Sequence, residues 1–143
     1  MTTQIPSGLQ EIIEDFQGIS EAERLELLLE FSESLPELPE RFAEHPELLE
    51  QVVECQSPLF LTVEREDSGA VALYFSAPPE APTTRGFASV LHEGLNGLTE
   101  EEILAVPDDM PHQLGLERAI TPLRLRGMTA MLGRIKRGVR ELG

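Results

Sequence analysis

Cys55 is the one thiol of the chain, in the run Val53-Glu54-Cys55-Gln56-Ser57-Pro58. A lone cysteine is most simply a small buried hydrophobe. Its neighbours here are polar and precede an apolar strand, so the sulfur is expected in a loop, where it can meet a partner's sulfur. Chemistry at that atom needs the thiolate, which basic groups or backbone N–H donors must stabilise. Glu54 acts in the opposite sense, so activation has to come from elsewhere in the fold or from the partner.

Arg124 is the second residue of note. It lies four positions before Met128, which at about 100° per residue places it on the apolar stripe of the last helix. Arg126, Arg134, Lys136, Arg137 and Arg140 fall on the opposite face. An inward arginine in a first helical turn, where the dipole disfavours a cation, requires an acidic or carbonyl partner. The pattern predicts a buried ion pair locking helix to sheet. The alternative is a guanidinium near the thiol, stabilising negative sulfur.

The other reactive side chains form no constellation. His45, His92 and His112 have no ligand spacing, and His92 stands beside Leu91 rather than in its stripe, which points to a solvated face. With one cysteine, a zinc or cluster site would have to draw on scattered histidines and carboxylates, and none is expected. Gly86, Gly94 and Gly97 lack the phosphate-loop pattern and its preceding strand, and no Gly-x-Ser-x-Gly elbow occurs.

The elements that must position Cys55 and Arg124 follow from periodicity. Leu9, Ile12, Ile13 and Phe16 share a helical face after Ser7, and Gly18 ends that helix. Ser20 and Glu23 form a capping box before a stripe of Leu25, Leu28, Leu29 and Phe31. Leu35-Pro36-Glu37-Leu38-Pro39 is an extended connector. Glu40 to Glu50 has room for one short helix, interrupted before Pro46. Then the period changes: Leu59 to Val63 and Val71 to Phe75 are β-rich runs joined by the turn signal Asp67-Ser68-Gly69, an antiparallel hairpin. Gln51-Val52-Val53 is a candidate strand ahead of them. Phe87, Val90, Leu91 and Leu95 restore the helical period, with Gly97 as its stop, and Thr99 with Glu102 forms a second capping box. Thr121 caps and Pro122 opens the last helix, whose stripe is Met128, Met131, Leu132, Ile135, Val139 and Leu142. The order implies an α+β domain over residues 1–143: a small antiparallel sheet of about three strands with helices on one side.

Composition narrows the function classes. With 143 residues, 41% apolar and 26% charged, the chain has the make-up of one globular domain. No apolar run reaches the ~18 residues of a spanning helix, and the amino terminus carries no basic-then-apolar signal, so a cytoplasmic protein is expected. A net charge of −15 disfavours nucleic acid and anionic membrane as partners. The charge is unevenly spread. Residues 1–117 hold 4 basic and 25 acidic side chains, whereas residues 118–143 hold 7 basic and only Glu141 as an acid. Either the acidic body and basic last helix are merely solvated, or one of them recognises a protein partner by charge.

Several stretches together resemble the SufE family of cysteine desulfuration proteins. Val53-Glu54-Cys55-Gln56-Ser57-Pro58-Leu59-Phe60-Leu61 is similar to its Cys-Gln-Ser segment, and Leu35-Pro36-Glu37-Leu38-Pro39 to its leucine-proline connector. Thr84-Arg85-Gly86-Phe87 resembles its basic-glycine-hydrophobic helix start, and Leu98 to Leu104 its threonine-led helix. Ile120-Thr121-Pro122-Leu123-Arg124-Leu125-Arg126-Gly127-Met128 resembles its terminal threonine-proline-x-arginine-x-x-glycine motif. The matching pieces span roughly residues 20 to 138. The chain departs from the family at Glu54, where a small residue is usual, at Ser76 to Ala81, and at Leu123, where serine is common.

The resemblance implies a fold shared with IscU-type scaffolds, and an accessory sulfur carrier rather than a stand-alone enzyme. Cys55 would take persulfide sulfur from a SufS-type, pyridoxal-phosphate-dependent cysteine desulfurase, stimulating it, and hand the sulfur to an iron–sulfur cluster scaffold. Gln56, Ser57, Arg85 and Arg124 would support that site, with no cofactor or metal of the chain's own, in a monomer or homodimer. With no second thiol, the persulfide must wait for an external acceptor, so Cys55 is expected to pack inward at rest and turn outward in the complex. The competing reading is a non-catalytic interaction module that keeps the fold and uses its charge-split surface.

Overall fold

In the computed structural model, residues 5–55 and 58–142 are described; Gln56 and Ser57 lie outside the described residues. Helix α1 (Ser7–Gln17) buries Leu9, Ile12, Ile13 and Phe16, the face read from the spacing. Helix α2 (Glu21–Ser32) starts on its capping box, with Ser20 Oγ accepting from the Glu23 N–H and the Glu23 carboxylate accepting from the Ser20 N–H. Its stripe is narrower than expected. Leu28 is fully buried, Leu25 and Phe31 are half-buried, and Leu29 is exposed. The cause is a close crossing with α4 (Pro82–Leu95): a Cβ on Gly86 would lie 2.5 Å from the Leu28 carbonyl oxygen. Two backbones this near share a narrow contact line, and Leu29 falls off it.

The connector 35–39 carries no regular structure, then α3 (Glu40–Ala43) and a 3-10 turn at Pro46–Leu48 are divided before Pro46. The sheet has the order β1 (Glu50–Gln51), β2 (Phe60–Arg65), β3 (Val71–Ser76), antiparallel throughout. The first strand ends earlier than expected, at Gln51. Val52 still donates its N–H to the Leu59 carbonyl (2.9 Å), but Cys55 N–H then bonds back to the Val52 carbonyl (3.1 Å), folding Val53–Cys55 into a 3-10 turn.

Alternation sorts the hairpin into two faces. The pairs Leu61↔Phe75 and Val63↔Leu73 are buried under α4 and α6 (Pro122–Leu142). On the other face lie Thr62↔Tyr74 and Glu64↔Ala72. There α3 adds a partial cover, with Phe42 4.8 Å from the Tyr74 ring and Arg41 paired with Glu64 at 2.6 Å. After α4, α5 (Glu100–Leu104) begins on the Thr99–Glu102 capping box and packs on α6. Thr121 Oγ1 accepts from the Arg124 N–H at 3.2 Å, Pro122 opens α6, and Met128, Met131, Leu132, Ile135 and Val139 are buried as the spacing requires, with Leu142 half-buried.

Three side chains correct the sequence reading. Arg124 points along the stripe but is exposed, as are all residues from Thr121 to Arg124; burial on this helix begins at Leu125. Periodicity fixed its direction, and the first turn projects past the layer it would have packed on. Lys136, expected on the solvated face, is only 5% exposed. It flanks Ile135, and its stem crosses to the connector after α5, where the ammonium donates to the Val106 carbonyl and to Asp108 Oδ1 at 2.7 Å. His92 is half-buried and edge-on to Phe75 rather than solvated, because α4 is covered around most of its circumference. Burial pushes its pKa below the ordinary histidine value, against the opposing pull of Glu93.

Candidate functional site

Cys55 ends the Val53–Cys55 turn, which lies directly on α6. The helix admits it at Gly127. A Cβ there would come within 3.2 Å of both Cα and Sγ of Cys55, so a side chain at this position would require the turn to shift by a few tenths of an ångström. The thiol points at the Gly127 carbonyl, 3.6 Å away. Its residue is 7% exposed, the inward packing expected at rest. Up to Cys55, the stretch expected as a loop is a seated 3-10 turn.

Burial, then the neighbouring Glu54 carboxylate, pushes the Cys55 thiol up from 9.0 to about 12, while Arg134 pulls it down. At neutral pH the seated sulfur is a protonated thiol and a poor nucleophile. The sign expected of Glu54 holds, but desolvation outweighs it.

Arg134 was not a candidate in the sequence. Its side chain, 19% exposed, reaches from α6 to the segment that leads into Cys55. One nitrogen donates to Glu50 Oε2 (2.7 Å) and to the Gln51 carbonyl (2.8 Å), and another donates to Glu54 Oε1 (2.7 Å). Arg137 also pairs with Glu50, and the two arginines hold its carboxyl below the usual carboxylate range. A signal existed for this grouping: Gly127 and Arg134 are seven apart, hence on one helix face two turns apart, and a glycine inside a helix marks a close approach.

The other sequence candidates scatter. Gln56 and Ser57 lie outside the described residues. Among the described residues the Arg124 guanidinium has no ion pair or hydrogen bond, so the expected buried pair is absent there. Arg85 is a brace: its Nε donates to the Ser32 carbonyl (3.0 Å) and a terminal nitrogen to the Ala77 carbonyl (2.7 Å), tying the end of α2 to the exit of β3. Nothing in these bonds joins it to Cys55. Around the thiol the surface turns apolar and basic. Val53 is 63% and Leu123 42% exposed, and Leu123 stands one turn before Gly127 on the same face. Arg124 and Arg126 are exposed beside it. Among the described residues no cluster of three or more His, Cys, Asp or Glu is arranged to hold a metal ion, and no helix is long and apolar enough to cross a membrane.

The family model of SufE, described as an Fe-S metabolism associated domain, matches residues 10–139. The chain belongs to the SufE family. An uncharacterized SufE-like protein of Mycobacterium tuberculosis strain H37Rv is 54% identical over 137 residues, covering 96% of this chain and 94% of the relative. SufE-like protein 1 of Arabidopsis thaliana, chloroplastic/mitochondrial, is 28% identical over 90% of this chain and 34% of its own length. The solution structure of a hypothetical protein from Thermus thermophilus superposes with a TM-score of 0.84 at 40% identity, over 96% of this chain and 97% of that one. The α+β fold of this SufE-family chain is thus shared with a solved relative, and its role lies in iron–sulfur metabolism.

Proposed function

We propose that this SufE-family chain is a sulfur carrier, taking persulfide sulfur from a SufS-type cysteine desulfurase onto Cys55 and passing it to an iron–sulfur cluster scaffold. The observation that carries the reading is the seat of Cys55: the chain's one thiol, buried on Gly127, rides on a three-residue turn beside exposed Val53 and Leu123. The Cys55 thiolate attacks the terminal sulfur of the desulfurase persulfide. The sulfur–sulfur bond of the donor breaks, the donor cysteine leaves as a thiolate, and the new sulfur–sulfur bond forms on Cys55. No net oxidation or reduction occurs, and the proton of the Cys55 thiol passes to a base of the partner or to water. The pyridoxal phosphate that frees sulfur from cysteine belongs to the partner. Burial of the acceptor as a protonated thiol at rest suppresses side reactions, so docking has to expose and ionise it.

Mass spectrometry of the intact chain after incubation with a desulfurase, pyridoxal phosphate and cysteine tests this. One added sulfur atom on Cys55 is expected, with none on Cys55→Ser, which should still bind the desulfurase. Full stimulation of cysteine turnover by Cys55→Ser would overturn the carrier reading in favour of an interaction module.

A further inference from the structure

We propose that Arg134 is the positioning residue that latches the Cys55 turn onto α6, and that the thiol becomes reactive when its grip on Glu50, Gln51 and Glu54 is released. The inference rests on the carrier reading for its purpose and on geometry for its content. Three acceptors on one five-residue stretch, 50–54, converge on a single guanidinium, and that stretch leads straight into Cys55. A planar fork can serve two carboxylates and a carbonyl in one geometry, whereas an ammonium cannot do so with the same reach. The arginine side chain is 19% exposed while Glu50 and Glu54 are 42% and 45% exposed, so the latch sits at the edge of the water rather than out on the surface.

The seat opposite the latch holds by burial, with Val52 and Cys55 both in the core, and offers few polar ties. Gly127 offers a flat backbone and one weak sulfur contact at 3.6 Å. Of the apolar side chains in the turn, Val53 faces solvent. The polar ties that hold the turn are the Val52 N–H bond to Leu59 at its base and Arg134 along its length. The charged groups facing this segment are Arg134 and Arg137 from α6 and Glu50 and Glu54 from the segment itself. Arg137 reaches only Glu50 within the segment and shares it with Arg134, so it can be lost without freeing Glu54.

The experiment measures alkylation of Cys55 by iodoacetamide from pH 7 to 10 in the isolated full chain, with thermal melts of each variant. In the wild type the rate should climb throughout, without levelling, as expected of a sheltered thiol. Arg134→Gln should react about tenfold faster or more at pH 7.5 and bend over toward a plateau between about pH 8.5 and 10, because a released thiol titrates at its ordinary value. Arg134→Lys should keep the charge but not the fork and stay fast, and Arg137→Gln should match the wild type. Glu50→Ala, which removes one of the three acceptors and leaves the Glu54 charge beside the thiol in place, should fall between, and serves if Arg134→Gln does not fold. A wild-type rate in Arg134→Gln and Glu50→Ala, or an increase no larger than the globally unfolded fraction explains, overturns the latch. Restoration of the wild-type rate by Arg134→Lys does the same, since charge alone would then suffice. Sulfur loading by a desulfurase is read separately. A fast thiol that accepts no sulfur in any variant overturns the carrier reading and leaves the latch standing, whereas slow alkylation with normal loading overturns the latch alone.

Discussion

The first turn of α6 and the rest of the helix share one apolar stripe and a net positive charge, yet they behave oppositely. From Leu125 onward the stripe is buried against the sheet, α4 and α5, and even the cation Lys136 is drawn inside. In the first turn, Leu123 and Arg124 lie in the same register and stay in water. A 3.6-residue period states which way a side chain points, but depth depends on what the rest of the chain places in front of it. The helix is a core element at one end and a rim at the other, with Gly127, where the thiol sits, near the boundary.

The comparison can be broken most strongly in the buried part. Ile135→Ala should cost about 3 kcal/mol in denaturant unfolding, through lost transfer energy and a cavity. A loss below about 1 kcal/mol would mean that this part is no core at all. Lys136→Ala comes next, at about 2 kcal/mol, from the lost stem and an unpaired Val106 carbonyl, with Lys136→Met recovering roughly half. Lys136 also holds the Asp108 carboxyl below its ordinary 3.8. The contribution of that pair is complete above 3.8 and fades as pH falls through the folded value, so Lys136→Met should blunt the acid loss of stability.

At the boundary, the raised Cys55 thiol predicts an alkaline limb. Folding favours the protonated form, so its contribution is complete below 9.0 and is lost as pH rises toward about 12. The loss should reach on the order of 1 kcal/mol by about pH 10, and Cys55→Ser melts should lack it. In the first turn the effects should be smallest. Leu123→Ala and Arg124→Ala should each change stability by less than about 0.5 kcal/mol, yet weaken desulfurase binding several-fold in titration calorimetry. A large stability loss in Arg124→Ala would restore the buried ion pair; unaltered binding by both variants would move the docking surface elsewhere.

Much of the fold was legible because its signals are local. The two capping boxes, the hairpin and the stripe from Met128 to Val139 each depend on residues within one or two turns. What escaped the sequence depends on distant partners. Leu29 is exposed because Gly86 brings a different helix too close for a wide stripe, and Lys136 is buried because a connector thirty residues earlier offers a carbonyl. The site divides in the same manner. Cys55 and the burden of Glu54 could be read from neighbours in the chain, but the counterweight, Arg134, is eighty residues away. Arg85, a site candidate by motif, turned out to serve two carbonyls of the scaffold.

The hydrogen bond from Val52 to Leu59 sets a limit on distance. It anchors the base of the thiol-bearing segment to the end of the sheet, and Cys55 is three residues beyond that anchor. Three extended residues span at most roughly 10 Å, so while the anchor holds, the sulfur is on a short tether. A donor sulfur has to be carried to the surface of this chain by close, shape-matched docking; a cysteine waiting at the bottom of a deep cleft could be met only if the donor enzyme opens that cleft or presents its sulfur on a mobile arm.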